Sequence, residues 1–181
     1  DTDWLDLFYK RAAIQTNHYL SIGGGDGKSQ YSFSMGYFDQ NGNVDGLRSQ
    51  KVSTRFNINT KVSDRFSISG NIAYQYMPTV EPISSYAPGF SSMLKLLNRI
   101  SNTVVNQYPN GQYGYVGDGN PMAWLDSGSQ NKTIANTLTA NFGADWEVVK
   151  NLHFRPAFQY RGTSGTRKQF MEKIDYYSQA T

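Results

Sequence analysis

The 181-residue sequence contains no cysteine, so neither a disulfide framework nor a thiolate metal site can form. No apolar run approaches the ~18 residues that a membrane-spanning helix requires. Charged residues make up only 17% of the chain, and the absence of a long basic run argues against a nucleic-acid partner. The two histidines, His18 and His153, are far apart and have no second ligand at metal spacing, so we expect no metal and no cofactor.

Catalytic motifs are also absent. The sequence shows no paired carboxylates in a recognisable setting and no Ser–His–Asp order. The glycine-rich stretch from Gly23 to Ser29 resembles a phosphate-binding loop, but Ile22 stands where that motif requires glycine, and the residues that follow have a strand pattern. We therefore expect no catalytic residue, and a chain that is not an enzyme.

Aromatic and uncharged polar residues are abundant in this chain, where charged and hydrophobic residues are few. Aromatic residues reach 14% of the chain, with 13 tyrosines and 10 phenylalanines, while hydrophobic residues in total are only 38%. This mixture disfavours helices and favours β-strands joined by polar loops.

A period-two alternation of apolar and polar residues is the main structural signal. Tyr31, Phe33, Met35 and Tyr37 fall on one face of an extended chain, and serine or glycine falls between them. Similar patterns predict six strands, at about residues 15–24, 29–38, 51–62, 66–77, 133–146 and 152–161. Pro156 removes one ladder donor from the last strand, so a bulge or weak pairing is expected there.

The connections between these strands alternate between short and long. Residues 26–28, 63–65 and 147–151 make short links, whereas residues 39–50 and 78–132 make long ones. This rhythm predicts an antiparallel up-and-down meander with tight turns at one end and large loops at the other. Within the long segment, helical spacing of Met93, Leu96, Leu97 and Ile100 predicts one short helix.

Charge and aromatic placement favour a transmembrane β-barrel. Within the predicted strands, every lysine and arginine lies on the face opposite the apolar one, and an exposed charge at mid-bilayer costs ~2–4 kcal/mol. If the short turns are periplasmic, aromatic residues mark both membrane interfaces: Tyr31, Phe66 and Trp146 on that side, and Tyr37, Tyr74, Tyr76 and Tyr160 on the outer side. A soluble secreted β-sandwich that binds carbohydrate also alternates, and it remains the alternative.

Residues 2–76 carry a family resemblance. The sequence from Asn17 to Gly42 resembles the SusC/RagA family of TonB-dependent outer-membrane transporters, whose members show "N-x-N-x-S-x-S-G-G" and then "Y-x-x-S-x-G-Y-x-x-Q-x-G". The matching residues are Asn17, Ser21, Gly23, Gly24, Tyr31, Ser34, Gly36, Tyr37, Gln40 and Gly42. Thr2, Asp3 and Trp4 match a "T-D-W" sequence that precedes this strand in the family.

The resemblance implies an all-β fold and a transport function. It implies a barrel of about 22 strands with an N-terminal plug, energy supplied by TonB, a SusD-like lipoprotein partner, and import of oligosaccharides or peptides across the outer membrane of a Gram-negative bacterium. On this interpretation residues 1–181 supply about six strands, residues 78–132 form a long extracellular loop, and the plug lies outside the chain. A siderophore or vitamin receptor of the wider TonB-dependent class is the alternative transporter.

Aromatic residues in the long loop are the candidate ligand contacts. Sugars stack on such rings, and loops on a rigid scaffold commonly bind ligands. The alternative is that these rings pack the loop or contact the lipoprotein. The candidates are Tyr108, Tyr113, Tyr115 and Trp124.

Basic residues on the polar strand faces are expected to face the barrel lumen. They would contact the plug or the solute path, and the alternative is that they are solvated wall charges. These residues are Lys51, Arg55, Lys61, Arg155 and Arg161.

The barrel interpretation makes a prediction about solubility. Six strands taken from a barrel leave two open edges and an apolar outer wall, so the isolated chain should aggregate in buffer and need detergent or lipid. Size-exclusion chromatography and denaturant unfolding test this expectation. A monomer that unfolds cooperatively without detergent would contradict it.

Overall fold

The computed structural model describes residues 1–115, 117 and 119–177. Within them the chain forms seven strands and three short helices, in the following order. The elements are α1 (Trp4–Phe8), β1 (Gln15–Gly25), β2 (Ser29–Asn41), β3 (Arg48–Ser63), β4 (Phe66–Pro82), α2 (Phe90–Leu97), α3 (Pro121–Asp126), β5 (Gln130–Val149), β6 (Leu152–Phe154) and β7 (Ala157–Phe170). No helix in the described ranges is long and apolar enough to cross a membrane.

The strands form one antiparallel sheet in sequence order. Each strand from β1 to β5 pairs with the next, and both β6 and β7 pair with β5. The predicted up-and-down meander is therefore confirmed. Arg155 and Pro156 separate β6 from β7, which places the expected irregularity at the proline, where the ladder loses a donor.

The strands run further toward the long loops than predicted. β4 continues to Pro82 and β5 begins at Gln130, so the long connection spans residues 83–129 and not 78–132. The pairing of β4 with β3 ends at Val80, so Pro82 lies where β4 is an edge strand on that side and its missing N–H is tolerated.

The helices also exceed the prediction of one. α2 is the predicted helix and buries Met93, Leu96 and Leu97. α1 and α3 have only five and six residues, too short for a helical repeat to show in the sequence.

The apolar faces of neighbouring strands are in register. Phe33 pairs with Phe56, Phe56 with Ile72, and Gly70 with Phe142. The exposed fractions of Phe33, Ile72 and Phe142 are 38%, 42% and 48%, although each is central in its strand. All described strands belong to one sheet, so no second sheet covers these side chains. This arrangement contradicts the β-sandwich alternative for the described part of the chain.

The opposite face is polar and hydrogen-bonded across strands. Asn57 donates to the Ser32 hydroxyl at 2.9 Å, Asn71 donates to the Asn57 side-chain oxygen, and Asn141 donates to that of Asn71 at 3.2 Å. These bonds join β2, β3, β4 and β5 in one row of the sheet. Amide side chains can form such a chain because each carries both donors and an acceptor.

On the apolar side of the described strands, ionised residues lie only at the outer strand ends, outside the strand ranges predicted from the sequence. Arg48 donates to Asp39 there, with Nε 2.9 Å from Oδ1. Lys132 lies opposite Lys168 on the neighbouring strand, in the same cross-strand row as Arg48. The charge-free part of this face therefore ends before the strands do.

The short turns lie at the other end of the sheet. Between β1 and β2, the Asp26 carboxylate accepts the backbone N–H groups of Ser29 at 2.7 Å and Lys28 at 2.8 Å. These bonds stabilise the ionised form and lower the pKa of Asp26. Between β5 and β6, Asn151 adopts a left-handed φ of 68°, a conformation that asparagine tolerates in turns.

A charge should therefore be tolerated on one face of β3 and not on the other. Phe56→Arg places a guanidinium on the apolar face, which the barrel interpretation places in lipid, and should destabilise the folded state by ~2–4 kcal/mol. Asn59→Arg places the same group on the polar face of the same strand and should cost less than about 1 kcal/mol. Denaturant unfolding of the full-length protein in lipid vesicles measures both. Equal costs would contradict the assignment of faces.

Candidate functional site

The long connections and the chain ends fold together into a cap at the end of the sheet opposite the short turns. We define the loop cap as the described residues 1–9, 42–47, 83–115, 117, 119–129 and 174–177. All of the buried hydrophobic residues in the described ranges lie in it: Trp4, Phe8, Val44, Ile83, Ala87, Met93, Leu96, Leu97, Ala123 and Trp124. The hydrophobic core of the chain is thus in its loops, while the sheet has none of its own.

The N-terminal segment holds the loop cap together. Asp3 caps α1 by accepting the N–H groups of Leu5 and Asp6 at 3.1 and 3.0 Å. The Trp4 indole N–H donates to the Ser101 carbonyl at 3.0 Å, and the Phe8 ring stacks 6.3 Å from that of Phe90. α1 therefore packs against the long loop through both of its buried side chains.

Asn120 organises the second half of the long loop. Its side chain is fully buried and its Oδ1 caps α3 by accepting the N–H groups of Met122 and Ala123 at 2.9 and 3.1 Å. Its Nδ2 donates to the carbonyls of Asn106 and Gly114 at 3.0 and 3.2 Å. One side chain thus starts a helix and closes the irregular segment before it.

The structure brings three of the candidate ligand contacts close to the end of the chain. The Tyr108 ring lies 4.5 Å from that of Tyr177, and the Tyr115 ring lies 5.2 Å from that of Tyr176. The Tyr113 hydroxyl donates to Asp126 at 2.7 Å. Tyr115 is 50% exposed and offers the most accessible of the candidate rings.

The fourth candidate, Trp124, has a different role from the one predicted. Its side chain is 1% exposed and belongs to the core of the loop cap, so its ring presents no face to a ligand. Its indole N–H donates to the Tyr176 hydroxyl at 3.0 Å. Sequence position alone could not distinguish this buried ring from the exposed ones, because helix α3 turns it inward.

Sequence reasoning missed Tyr86 and Tyr176. Tyr86 is 59% exposed and lies near enough to Tyr176 that burial and this neighbour together raise the pKa of the Tyr176 phenol. Tyr176 bridges the C-terminal segment to the long loop beside Tyr115. The only available signal was the Tyr176–Tyr177 pair in an otherwise polar segment. These residues complete a tyrosine cluster, which we define as Tyr86, Tyr108, Tyr113, Tyr115, Tyr176 and Tyr177.

The phenols of this cluster that carry a perturbed pKa remain neutral at physiological pH. Burial and the neighbouring Asp126 carboxylate raise the pKa of Tyr113 to about 12. Burial also raises the pKa of Tyr176. Both hydroxyls therefore stay protonated and able to donate hydrogen bonds.

Four of the candidate basic residues lie in the strands, on the face that does not carry Phe33 and Phe142: Lys51, Arg55, Lys61 and Arg161. Arg155 lies between β6 and β7 and reaches Asp145 on the same polar face. Two have partners. The Lys51 ammonium lies 5.7 Å from the Phe38 ring centre, and Arg155 donates to Asp145 at 2.8 Å while His153 Nδ1 lies 2.6 Å from the same carboxylate. The others are Arg55, Lys61 and Arg161, which project from the same face.

Taken together, these features define a segment of an antiparallel β-barrel wall of the transmembrane type. The sheet has one exposed apolar face, one polar face, tight turns at one end and a folded cap at the other. No family model matches the chain, but individual proteins do.

Two curated relatives are similar over most of the chain. The first is "TonB-dependent receptor P3" of Formosa agariphila, 27% identical over 168 residues, which covers 88% of this chain and 16% of that protein. The second is "TonB-dependent receptor SusC" of Bacteroides thetaiotaomicron, 26% identical over 186 residues, which covers 91% of this chain and 18% of that protein. The chain thus spans less than a fifth of the length of either relative.

A solved structure shares the fold. The RagAB peptide importer in its "closed-closed" state matches with a TM-score of 0.62 and 16% identity, covering 94% of this chain and 20% of the matched chain. The chain is therefore similar to a segment of the SusC/RagA-like TonB-dependent transporters, and the resemblance found in the sequence is confirmed.

Removing a buried anchor of α1 should loosen the loop cap. Phe8→Ala deletes a ring that is 2% exposed and should cost about 3–5 kcal/mol locally. Leu5→Ala, in the same helix but 57% exposed, is the matched control and should cost less than about 1 kcal/mol. Hydrogen exchange of residues 83–129 in the full-length protein should accelerate only for Phe8→Ala, while β2–β5 stay protected. Unchanged exchange in both variants would show that α1 does not hold the cap.

Proposed function

We propose that this chain forms part of the wall and one outer loop of a TonB-dependent transporter that imports oligosaccharides or peptides across the outer membrane of a Gram-negative bacterium. The observation that carries the proposal is the single sheet whose in-register apolar face stays exposed, in a chain that matches SusC-type receptors over about nine-tenths of its length. On this proposal the chain is a transport component and not an enzyme.

The two faces of the sheet then have different surroundings. The apolar face, with Phe33, Ile72 and Phe142, contacts outer-membrane lipid, and the polar face lines the lumen. Lipid-facing strands must carry apolar side chains because hydrocarbon cannot solvate charge. In this arrangement Lys51, Arg55, Lys61, Arg155 and Arg161 face the plug or the solute path.

The loop cap then lies on the extracellular side, where residues 83–129 form the long loop. Its tyrosine cluster contacts the solute or a SusD-like lipoprotein that covers the loop cap. Tyr115 is the most exposed of the rings proposed from the sequence. Tyrosine suits either role, since it combines a large apolar ring with a polar tip. Energy for uptake comes from TonB, through parts of the transporter outside this chain.

Uptake by cells tests the function. A strain deleted for the full-length gene, complemented with it, should take up labelled oligosaccharide or peptide only when the gene and TonB are both present. Co-purification with a SusD-like lipoprotein supports the SusC type, whereas uptake of iron chelates alone would favour a siderophore or vitamin receptor. Uptake that is independent of the gene would contradict the proposal.

The tyrosine cluster makes its own prediction. Tyr115→Ala should weaken solute binding by the full-length transporter about two- to thirteenfold, because one stacking ring contributes about 0.5–1.5 kcal/mol. Tyr31→Ala removes a similarly exposed ring from the apolar face near the short turns and should leave binding unchanged. Isothermal titration calorimetry in detergent measures both. Equal affinities in wild type and Tyr115→Ala would remove Tyr115 from the binding site.

A further inference from the structure

Two arginines on the polar face line one groove. The groove has a volume of about 470 Å³ and crosses the middle of the sheet from Tyr19 on β1 to Arg161 on β7, with Arg55 on β3 between them. Both side chains are exposed, and neither forms an ion pair within the residues that the structure describes. No acidic residue lines the groove.

A second groove on the same face provides a contrast. It lies near the short turns, has a volume of about 520 Å³, and is lined by Asp26 and Asp145 as well as by Lys28, Lys61 and Arg155. There the wall supplies its own counter-charges, as the contact of Arg155 with Asp145 at 2.8 Å shows. The groove of Arg55 and Arg161 is lined by positive charge only, so an anion bound there would meet no carboxylate that repels it.

The sheet register sets the distance between the two arginines. Arg55 pairs with Ala73, Ala73 with Thr139, and Thr139 with Arg161, so all four lie in one cross-strand row. Three strand spacings of about 4.8 Å place the two arginine Cα atoms about 14 Å apart. An oligomer with several acidic groups can place one group against each arginine.

The floor between the arginines is rich in hydroxyl groups. Ser53, Thr137 and Thr139 line it, and Ser34 lies beyond Arg55 on β2. Each hydroxyl can donate and accept a hydrogen bond, which suits sugar hydroxyls that also do both. The guanidinium groups at the two ends are planar forks of donors that match carboxylates.

We infer that this groove binds an acidic oligosaccharide, with carboxylate groups of the sugar chain against Arg55 and Arg161. The inference rests on the proposed function and deepens it by naming a charge class for the transported solute. The groove lies between the loop cap and the short turns, on the path that a solute would follow through the lumen. Charge complementarity and the span of the groove argue for this occupant.

Binding of tetragalacturonate to the purified full-length transporter tests the inference, with its methyl ester as the neutral counterpart of the same sugar. The double variant Arg55→Gln/Arg161→Gln should weaken tetragalacturonate binding about tenfold and leave methyl-ester binding unchanged. Wild-type affinity should fall as salt is raised, and the affinity of the variant should depend on salt less. Fluorescence anisotropy with labelled sugars measures each affinity.

Two further variants control for charge and for folding. Lys132→Gln/Lys168→Gln removes the same charge from the apolar side of the sheet and should not change binding. Arg55→Lys/Arg161→Lys keeps the charge but loses the planar fork, so it should weaken binding about threefold. Heat-dependent mobility on a denaturing gel confirms that each variant has a folded barrel.

Several results would overturn the inference. Equal weakening by Lys132→Gln/Lys168→Gln would show a general charge effect. If Arg55→Gln/Arg161→Gln weakened methyl-ester binding as much as tetragalacturonate binding, the arginines would hold the barrel or its plug together. Tighter binding of a tetra-aspartate peptide than of tetragalacturonate would assign the groove to peptides. If a neutral oligosaccharide is still imported while acidic sugars do not bind, this inference fails and the proposed transport function stands. If no solute is imported, the proposed function itself fails.

Discussion

The rest of the structure depends on one constraint: the strands of a single sheet carry apolar side chains on one face and polar or charged side chains on the other. In register, Phe33, Phe56 and Ile72 place apolar side chains next to one another, while Ser32, Asn57, Asn71 and Asn141 bond to each other on the reverse face. A one-residue slip of any strand would exchange its two faces. Tight turns at one end help to fix the register, and β1 and β7 each leave one edge without a strand partner among the described residues.

A sheet without a second layer cannot build a core, and this chain places its core elsewhere. Trp4, Phe8, Met93 and Trp124 pack together in the loop cap, where helix α1, the short loop at Val44 and the long loop meet. The loops therefore form a folded unit with its own hydrophobic stabilisation. The sheet β1–β7 is stabilised by its cross-strand hydrogen bonds and by the contacts of its two faces with their surroundings. This division suits a barrel that presents an ordered surface above a membrane.

Local pattern was sufficient to predict the sheet. The period-two alternation identified every strand path, the spacing of the turns gave the antiparallel order, and Pro156 marked the break between β6 and β7. The outer strand ends were missed, because prolines and charged residues there interrupt the alternation while pairing such as Val80 with Lys132 continues. Backbone pairing between neighbouring strands extends those ends beyond the apolar periodicity.

The candidate site was less accessible to sequence reasoning. The five basic residues follow from strand periodicity, so their common face could be predicted from the sequence. The exposure of the loop aromatics depends on tertiary packing. Packing buries Trp124, leaves Tyr115 exposed and places Tyr176 of the C-terminal segment against Tyr115. No local signal encodes contacts between residues that are more than fifty positions apart, such as the bond between Trp124 and Tyr176.

The central claim is that the apolar face meets lipid. Because this stretch contains no cysteine, single cysteines can be placed along residues 137–146 of the full-length protein and spin-labelled in bilayers. The account predicts that labels at 138, 140, 142 and 144 collide mainly with oxygen dissolved in the lipid, while those at 137, 139, 141 and 143 do not. Uniform oxygen accessibility along the strand, or the opposite alternation, would contradict it.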